Sequence, residues 1–185
     1  MRIAGIMRES VVDGPGVRFV VFAQGCQHHC AGCHNPDTWD PAKGESWSVR
    51  ELFKIIRRSP DHVKGLSLSG GEPFLQAGEM ADLASLARKR GLSVVTYTGY
   101  LYEDLMETAE YDPDIARLLA ETDILIDGPY VAAFKDISLR FRGSANQRVI
   151  DVKASREGER TVLLPGETQD LFGSASIAVS SSDAQ

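Results

Sequence analysis

Residues 65–98 read GLSLSGGEPFLQAGEMADLASLARKRGLSVVTYT, and the hydrophobic period changes twice within them. Gly65-Leu66-Ser67-Leu68-Ser69 reads as a short strand running into the turn residues Gly70-Gly71-Glu72-Pro73. Met80, Leu83, Ala84 and Ala87 then recur at helical spacing, and Gly91 can end a helix in the left-handed region. Leu92 to Thr98 returns to β-branched and aromatic residues. Strand, helix and strand in so short a span form the unit of a parallel sheet, whose neighbouring strands need a right-handed crossover between them.

Working outward, the alternation repeats. Val17 to Phe22 is a second β-branched and aromatic run, preceded by Asp13-Gly14-Pro15-Gly16. Ser48 with Glu51 three residues on predicts a capping box ahead of Leu52, Ile55 and Ile56, and Pro60 closes that helix. Tyr102 to Ala120 reads as one or two helices interrupted near Asp112-Pro113, and Ile124 to Ile126 as another strand. Two further strands are expected at Arg148 to Val152 and Thr161 to Leu164. The sum is an α/β fold, a mainly parallel sheet with helices packed outside it. At 185 residues the chain is short of the roughly 250 of a complete eight-unit barrel, so a partial, open (β/α) barrel is expected. Residues 1–165 make a single expected domain, and 166–185, rich in Ser and Ala from about Gly173, read as a flexible tail.

Composition narrows the function classes. An apolar fraction of 43% excludes a disordered chain, and no run nears the roughly 18 apolar residues of a membrane span. Met1-Arg2-Ile3-Ala4-Gly5 opens no secretory signal, so the cytoplasm is the expected compartment. A net charge of -6 argues against a general nucleic-acid binder. The charge is uneven, however: Leu101 to Asp127 holds nine acidic residues and one Arg, whereas Lys135 to Arg160 holds seven basic and four acidic. Each run is either a solvated face or, for the basic one, a docking surface.

The chain's 3 cysteines, Cys26, Cys30 and Cys33, fall together after the first clear strand, so a disulfide framework is excluded. They sit in the 24 residues from Ala23 to Ser46, a stretch without sustained periodicity that also holds His28, His29 and His34. Loops this long in a small domain are usually functional. Three thiolates can hold three corners of a cubane iron–sulfur cluster and leave one iron without a protein ligand. They can equally join one histidine in a tetrahedral zinc site, although such sites usually draw ligands from two separated knuckles.

The segment Gly25-Cys26-Gln27-His28-His29-Cys30-Ala31-Gly32-Cys33-His34-Asn35 resembles the signature loop of the radical S-adenosylmethionine enzymes. Val12-Asp13-Gly14-Pro15-Gly16-Val17-Arg18 and Asn35-Pro36-Asp37-Thr38-Trp39 narrow the resemblance to the glycyl-radical-enzyme activating proteins. Thr98-Gly99-Tyr100, Asp127-Gly128-Pro129-Tyr130 and Arg140 to Arg148 are similar to the branch that activates anaerobic ribonucleoside-triphosphate reductase. The likeness spans about residues 3 to 153. One departure is Gly32, where many members carry an aromatic residue.

What the resemblance implies is an oxidoreductase with a barrel of the radical S-adenosylmethionine type. Cys26, Cys30 and Cys33 would hold a 4Fe-4S cluster whose open iron takes the amino and carboxylate groups of S-adenosylmethionine. One-electron cleavage would release a 5′-deoxyadenosyl radical that removes a hydrogen atom from a glycine of the partner reductase. Flavodoxin or ferredoxin would serve as electron donor. Gly32, Cys33 and His34 would line the cofactor, and Gly70, Gly71 and Glu72 would hold its methionine end, with Glu72 the candidate for the amino group. Thr98 and Asp127, at strand ends, either touch that cofactor or cap neighbouring backbone. Asp13, Gly14 and Gly16 form either a turn or a space for a foreign backbone; Arg140, Arg142, Asn146 and Gln147 form either a surface hairpin or a face for the partner. Trp39 and Trp47 read as small satellite cores. Two other functions stay open: activation of another glycyl radical enzyme, of the pyruvate formate-lyase type, and a non-catalytic zinc module.

Overall fold

A mixed sheet carries the fold in the computed structural model, which describes residues 1–165; the expected tail at 166–185 lies outside the described residues. The strands are β1 (Arg2–Ser10), β2 (Val17–Ala23), β3 (Glu45–Ser46), β4 (Val63–Gly70), β5 (Ser93–Tyr97), β6 (Ile124–Asp127) and β7 (Arg148–Asp151). Between them run α1 (Val49–Ile56), α2 (Ala77–Lys89), α3 (Tyr102–Ala109) and α4 (Pro113–Glu121), and α5 (Val152–Glu157) follows β7. The strand order is β3-β1-β2-β4-β5-β6-β7.

The expected parallel core is present as β2, β4, β5 and β6, in register from Val17 opposite Val63 to Tyr97 opposite Ile126. Around that parallel core the sheet is mixed: β1 and β3 extend it antiparallel at one edge and β7 at the other. A parallel neighbour needs a crossover, and neither edge has one. β1 returns to β2 through residues 11–16, and the link from β6 to β7 contains only the short 3-10 turn Ala132–Phe134. The strand expected at Thr161 to Leu164 reduces to one bridge, Ile150 to Leu163.

Local sequence explains the helix ends. Ser48 Oγ accepts from the Glu51 N–H at 3.2 Å while Glu51 Oε2 accepts from the Ser48 N–H at 2.9 Å. Gly91 follows α2 at φ 85°, and the Leu92 N–H returns to Ala87 O at 3.1 Å. Asp112 accepts from the Asp114 N–H at 2.9 Å and starts α4 at Pro113, so the interrupted helix is two helices.

All of α1 to α4 lie on one face of the sheet, where Leu52, Ile56, Met80, Leu83, Leu118 and Leu119 pack on Phe19, Val21, Leu66, Leu68, Val94 and Leu125. Alternate residues point the other way, and Val95, Ile126 and Val149 form a second, smaller cluster there with Tyr97 and Phe141. Strands buried on both faces read as continuous apolar runs, which is why Phe19 to Ala23 of β2 stands out in the sequence, whereas β4 alternates Leu66 and Leu68 with Ser67 and Ser69. No described helix is long and apolar enough to cross a membrane.

Candidate functional site

The four parallel strands end at one place. Beyond them lies a cavity of about 640 Å³ lined by Cys26, Cys30 and Cys33, by Gly70 and Gly71 after β4, by Thr98 and Gly99 after β5, and by Gly128 after β6. In open α/β sheets ligands collect outside the carboxyl ends of the strands. The second face of the sheet, which the helices leave uncovered, continues the wall through Tyr97, Phe141 and the segment 11–13.

The loop geometry follows from a few backbone demands. The Gly71 N–H donates to Ala23 O and the Glu72 N–H to Gly25 O, both at 2.8 Å, sewing the end of β4 to the start of the cysteine loop. A Cβ on Gly71 would overlap Gly25 O and one on Gly70 would lie 2.7 Å from Ala23 N, so neither position admits a side chain. The Cys33 N–H donates to Cys30 O at 3.0 Å, closing a turn that Gly32 completes at φ 78°. The backbone conformation therefore accounts for glycine at 32, and its space does not, since a Cβ there would meet Tyr130 at an ordinary 3.5 Å.

The three thiols are free and half-buried. Burial pushes the Cys26 thiol up, with Glu72 and Cys30 adding to the rise, while the backbone N–H groups of His28 and His29 oppose it. The Asn35 N–H donates to Cys33 Sγ at 3.3 Å. Amide donors aimed at sulfur suit thiolates that ligate iron, and the donor set fits an iron–sulfur cluster. The sulfurs share one wall without closing on a point: among the described residues no three His, Cys, Asp or Glu side chains converge closely enough to hold a metal ion. A zinc set would need a histidine as its fourth ligand, and the three in the loop differ in their contacts. His28 Nε2 lies 2.9 Å from Glu72 Oε2, the His29 ring lies 4.9 Å from Trp39, and the His34 ring 5.0 Å from Tyr130.

Glu72 is fully buried and stands behind the cavity wall. Its Oε1 accepts from the Phe74 N–H at 3.0 Å and its Oε2 from the Gly99 N–H at 2.9 Å, while Thr98 Oγ1 lies 3.0 Å from both oxygens. With His28 added, the carboxylate ties the cysteine loop to the ends of β4 and β5. Asp127 is likewise fully buried and away from the cavity. It accepts from Arg148 Nε at 3.0 Å and from the Tyr102 N–H at 2.8 Å. Thr98, unlike these two carboxylates, does line the cavity.

The two segments read as partner faces divide in the same way. Asp13, Arg140, Arg142 and Gln147 line the cavity together with the cysteines and His34. Gly14, Gly16, Gly32 and Asn146 do not. Gly14 backs onto Arg18, and Asn146 Nδ2 donates to Pro129 O at 2.8 Å. Gln147 Nε2 donates to Gly128 O at 3.1 Å and its Oε1 accepts from the Gly143 N–H at 2.9 Å, which folds the 128–147 segment over the mouth. Sequence reasoning missed Val11, Val12 and Ile137, which line the same cavity at 73%, 69% and 93% exposure. A β-branched pair beside a turn, outside any strand or helix pattern, is the signal that marks the first two. Trp39 caps His29, and Trp47 packs on the helix-side core.

The sequence profile of a family described as a 4Fe-4S single cluster domain matches residues 12–150. An anaerobic ribonucleoside-triphosphate reductase-activating protein of Vibrio cholerae is 37% identical over 144 residues, covering 74% of this chain and 89% of that one. Its namesake from Escherichia coli K12 is 34% identical over 147 residues, 75% of this chain and 91% of that protein. A pyruvate formate-lyase-activating enzyme of Clostridium pasteurianum is 37% identical over 115 residues, but these span 60% of this chain and only 48% of that enzyme.

Proposed function

The chain belongs to the family of anaerobic ribonucleoside-triphosphate reductase-activating proteins, and from that premise we propose that it installs a glycyl radical on such a reductase. The observation that carries the reading is that all three cysteines line one cavity with the strand-end glycines Gly70, Gly71, Gly99 and Gly128. The open mixed sheet is then a partial barrel of the radical S-adenosylmethionine type, with the cavity as its interior.

In this reading Cys26, Cys30 and Cys33 hold a 4Fe-4S cluster. When bound, the cluster supplies one electron to the carbon–sulfur bond of S-adenosylmethionine, releasing methionine and a 5′-deoxyadenosyl radical that takes a hydrogen atom from a partner glycine. The chain's own residues place these reactants. Glycines 70 and 71 let the cofactor approach the backbone, Thr98 offers a hydroxyl at the wall, and Glu72 fixes His28 and the Thr98-Gly99 turn from behind. Tyr97, Tyr130 and Phe141 exclude water from the wall they form. Asp13, Arg140 and Arg142 at the mouth meet the partner's chain. A low-potential flavodoxin or ferredoxin supplies the electron.

The reductase is favoured over a pyruvate formate-lyase as partner by the extent of the likeness, 89% of the reductase-activating protein's length against 48% of the lyase-activating enzyme's. The test is anaerobic reconstitution with iron and sulfide, followed by spectra with and without S-adenosylmethionine and by mixing with either partner. The expected result is a cluster signal that shifts on adding S-adenosylmethionine and a glycine-centred radical on the reductase. Colourless protein carrying zinc and no iron would overturn the reading; a radical only on the lyase would reassign the partner.

A further inference from the structure

Beneath the cavity lies a charge that the proposed chemistry leaves unused. Arg18, near the start of β2, is 1% exposed. Its Nε donates to Ser67 Oγ at 2.7 Å, its Nη1 to Pro15 O and Ser93 Oγ at 3.1 Å each, and its Nη2 to Leu66 O at 2.6 Å and Ser93 O at 2.8 Å. Every guanidinium N–H is used, and every acceptor is a carbonyl or a hydroxyl. Among the described residues no carboxylate reaches salt-bridge distance. Burial lowers its pKa to about 10, so the group is still a cation at neutral pH. The protein makes room for it with glycines: a Cβ on Gly65 would overlap the guanidinium, and one on Gly14 would lie 2.7 Å from Arg18 Cδ.

A desolvated cation with no carboxylate in contact, only Asp123 and Asp13 at longer range, is a poor way to fill a core, since an apolar side chain of similar size would serve burial better. What it does offer is a fork of directional donors, which joins three segments in fixed register. Two of these, β4 and β5, are already paired with each other. The third is the loop between β1 and β2, which has no ladder of its own. Among the described residues, loop residues 11–15 are tied to the sheet by Ser10 at the end of β1, whose Oγ donates to Asp13 Oδ2 at 2.5 Å and accepts from the Val12 N–H at 3.3 Å, and by two hydrogen bonds that reach across to other strands, both of which involve this centre. One is Arg18 to Pro15 O, and the other is Ser67 Oγ to Asp13 O at 2.6 Å, from the hydroxyl that accepts from Arg18 Nε. The same loop lines the cavity with Val11, Val12 and Asp13.

We propose that Arg18 is a positioning residue, a buried guanidinium fork that locks the loop 11–16 onto β4 and β5 and so sets the wall against which the partner's chain is received. The link to the partner rests on the proposed function; the locking of the loop does not. The test begins on the full chain without cofactor, by hydrogen–deuterium exchange of Arg18→Met and Ser67→Ala against wild type. In Arg18→Met, exchange over residues 11–16 is expected to rise about tenfold or more while α2 and β5 change by less than about twofold. Ser67→Ala is expected to give a smaller rise confined to the same loop. A rise spread evenly over the chain, or none in the loop, overturns the proposal. If Arg18→Met shows no cooperative melting, Ser67→Ala decides by the same criterion, and Arg18→Lys should restore folding but only part of the loop protection.

The second readout is kinetic, on the anaerobically loaded chain. The KM for the reductase partner is expected to rise about fivefold in Ser67→Ala with kcat changed by less than about twofold, the split expected when a receiving surface loosens. Equal loss in both would show that the loop does more than receive the partner and would overturn that half of the proposal. A wild-type chain that binds no iron would remove the proposed function, yet leave the exchange result standing.

Discussion

The two faces of the sheet are held together by different physics. On the helix face, Leu52, Ile56, Met80, Leu83, Leu118 and Leu119 are all nearly or fully buried against strand residues of the same apolar kind. That interaction is non-directional and tolerates small shifts. On the cavity face the buried apolar cluster among the described residues is Val95, Ile126 and Val149, and further order comes from the buried polar centres Arg18 and Glu72, each bonded to several segments. Such networks specify one arrangement when fully satisfied and lose it abruptly when a member is removed. The helix face thus carries stability and the cavity face carries placement, and substitutions on the two should fail in different ways.

The sharpest separation is expected at the thiols. Cys30→Ala removes a half-exposed sulfur and no core contact. Iron retention and S-adenosylmethionine cleavage should fall to background while the melting temperature of the chain without cofactor stays within a few degrees of wild type. Comparable losses in both would break the distinction. The converse is Leu83→Ala on α2, a fully buried side chain, which should lower unfolding free energy by about 2–5 kcal/mol in urea titrations. The fraction still folded should bind iron normally; if it does not, the helix face does more than carry stability.

Glu72→Gln lies between these. The substitution keeps the shape and removes the charge from a carboxylate that takes two backbone N–H groups, the Thr98 hydroxyl and His28. An amide nitrogen must then face a donor, with an expected loss of about 1–3 kcal/mol. Because His28 belongs to the cysteine loop, iron retention should suffer more than that stability loss implies. Normal iron content with stability reduced alone would return Glu72 to a purely structural part.

The same contrast governs what could be read from sequence. Helix starts and stops were legible because they are local: Ser48 with Glu51, Asp112 with Pro113, and Gly91 each act within a few residues. β4 was legible because Leu66 and Leu68 run straight into the turn residues Gly70-Gly71-Glu72-Pro73. β1 was not, since Arg2–Ser10, flanked on its outer side only by the two-residue β3, has charges, a glycine and irregular burial, which leaves no alternation to detect. The cysteines announced themselves by spacing, whereas the reason for Gly71 is the distant carbonyl of Gly25. Asp127 was expected at the cavity or at a backbone cap. Its main partner proved to be Arg148, and their meeting depends on β7 running antiparallel to β6, which no local pattern encodes. Arg18 read as one polar residue in a strand, because its acceptors lie 3, 48, 49 and 75 residues away.

Arg148 stands where the two faces meet, and it yields the smallest expected effect. It bonds Asp127 at the end of β6 and reaches Glu103 on α3 at 2.7 and 3.0 Å. Its hydrogen bonds, aided by Thr161, outweigh partial burial and hold the Glu103 carboxyl at about 2, below the ordinary 4.5. A carboxyl depressed in the folded state stabilises it fully above the ordinary value, and that contribution is lost as pH falls from about 4.5 towards 2. Glu103→Gln should therefore flatten the stability profile across that window, with the two proteins converging at its acid end. Glu103 is 52% exposed, so the difference at neutral pH should stay within roughly 1 kcal/mol, as for other solvent-screened pairs. Parallel profiles in acid urea titrations would mean that Arg148 serves Asp127 alone. A difference well above that size would mean that the junction between the faces is a polar centre of the same standing as Glu72.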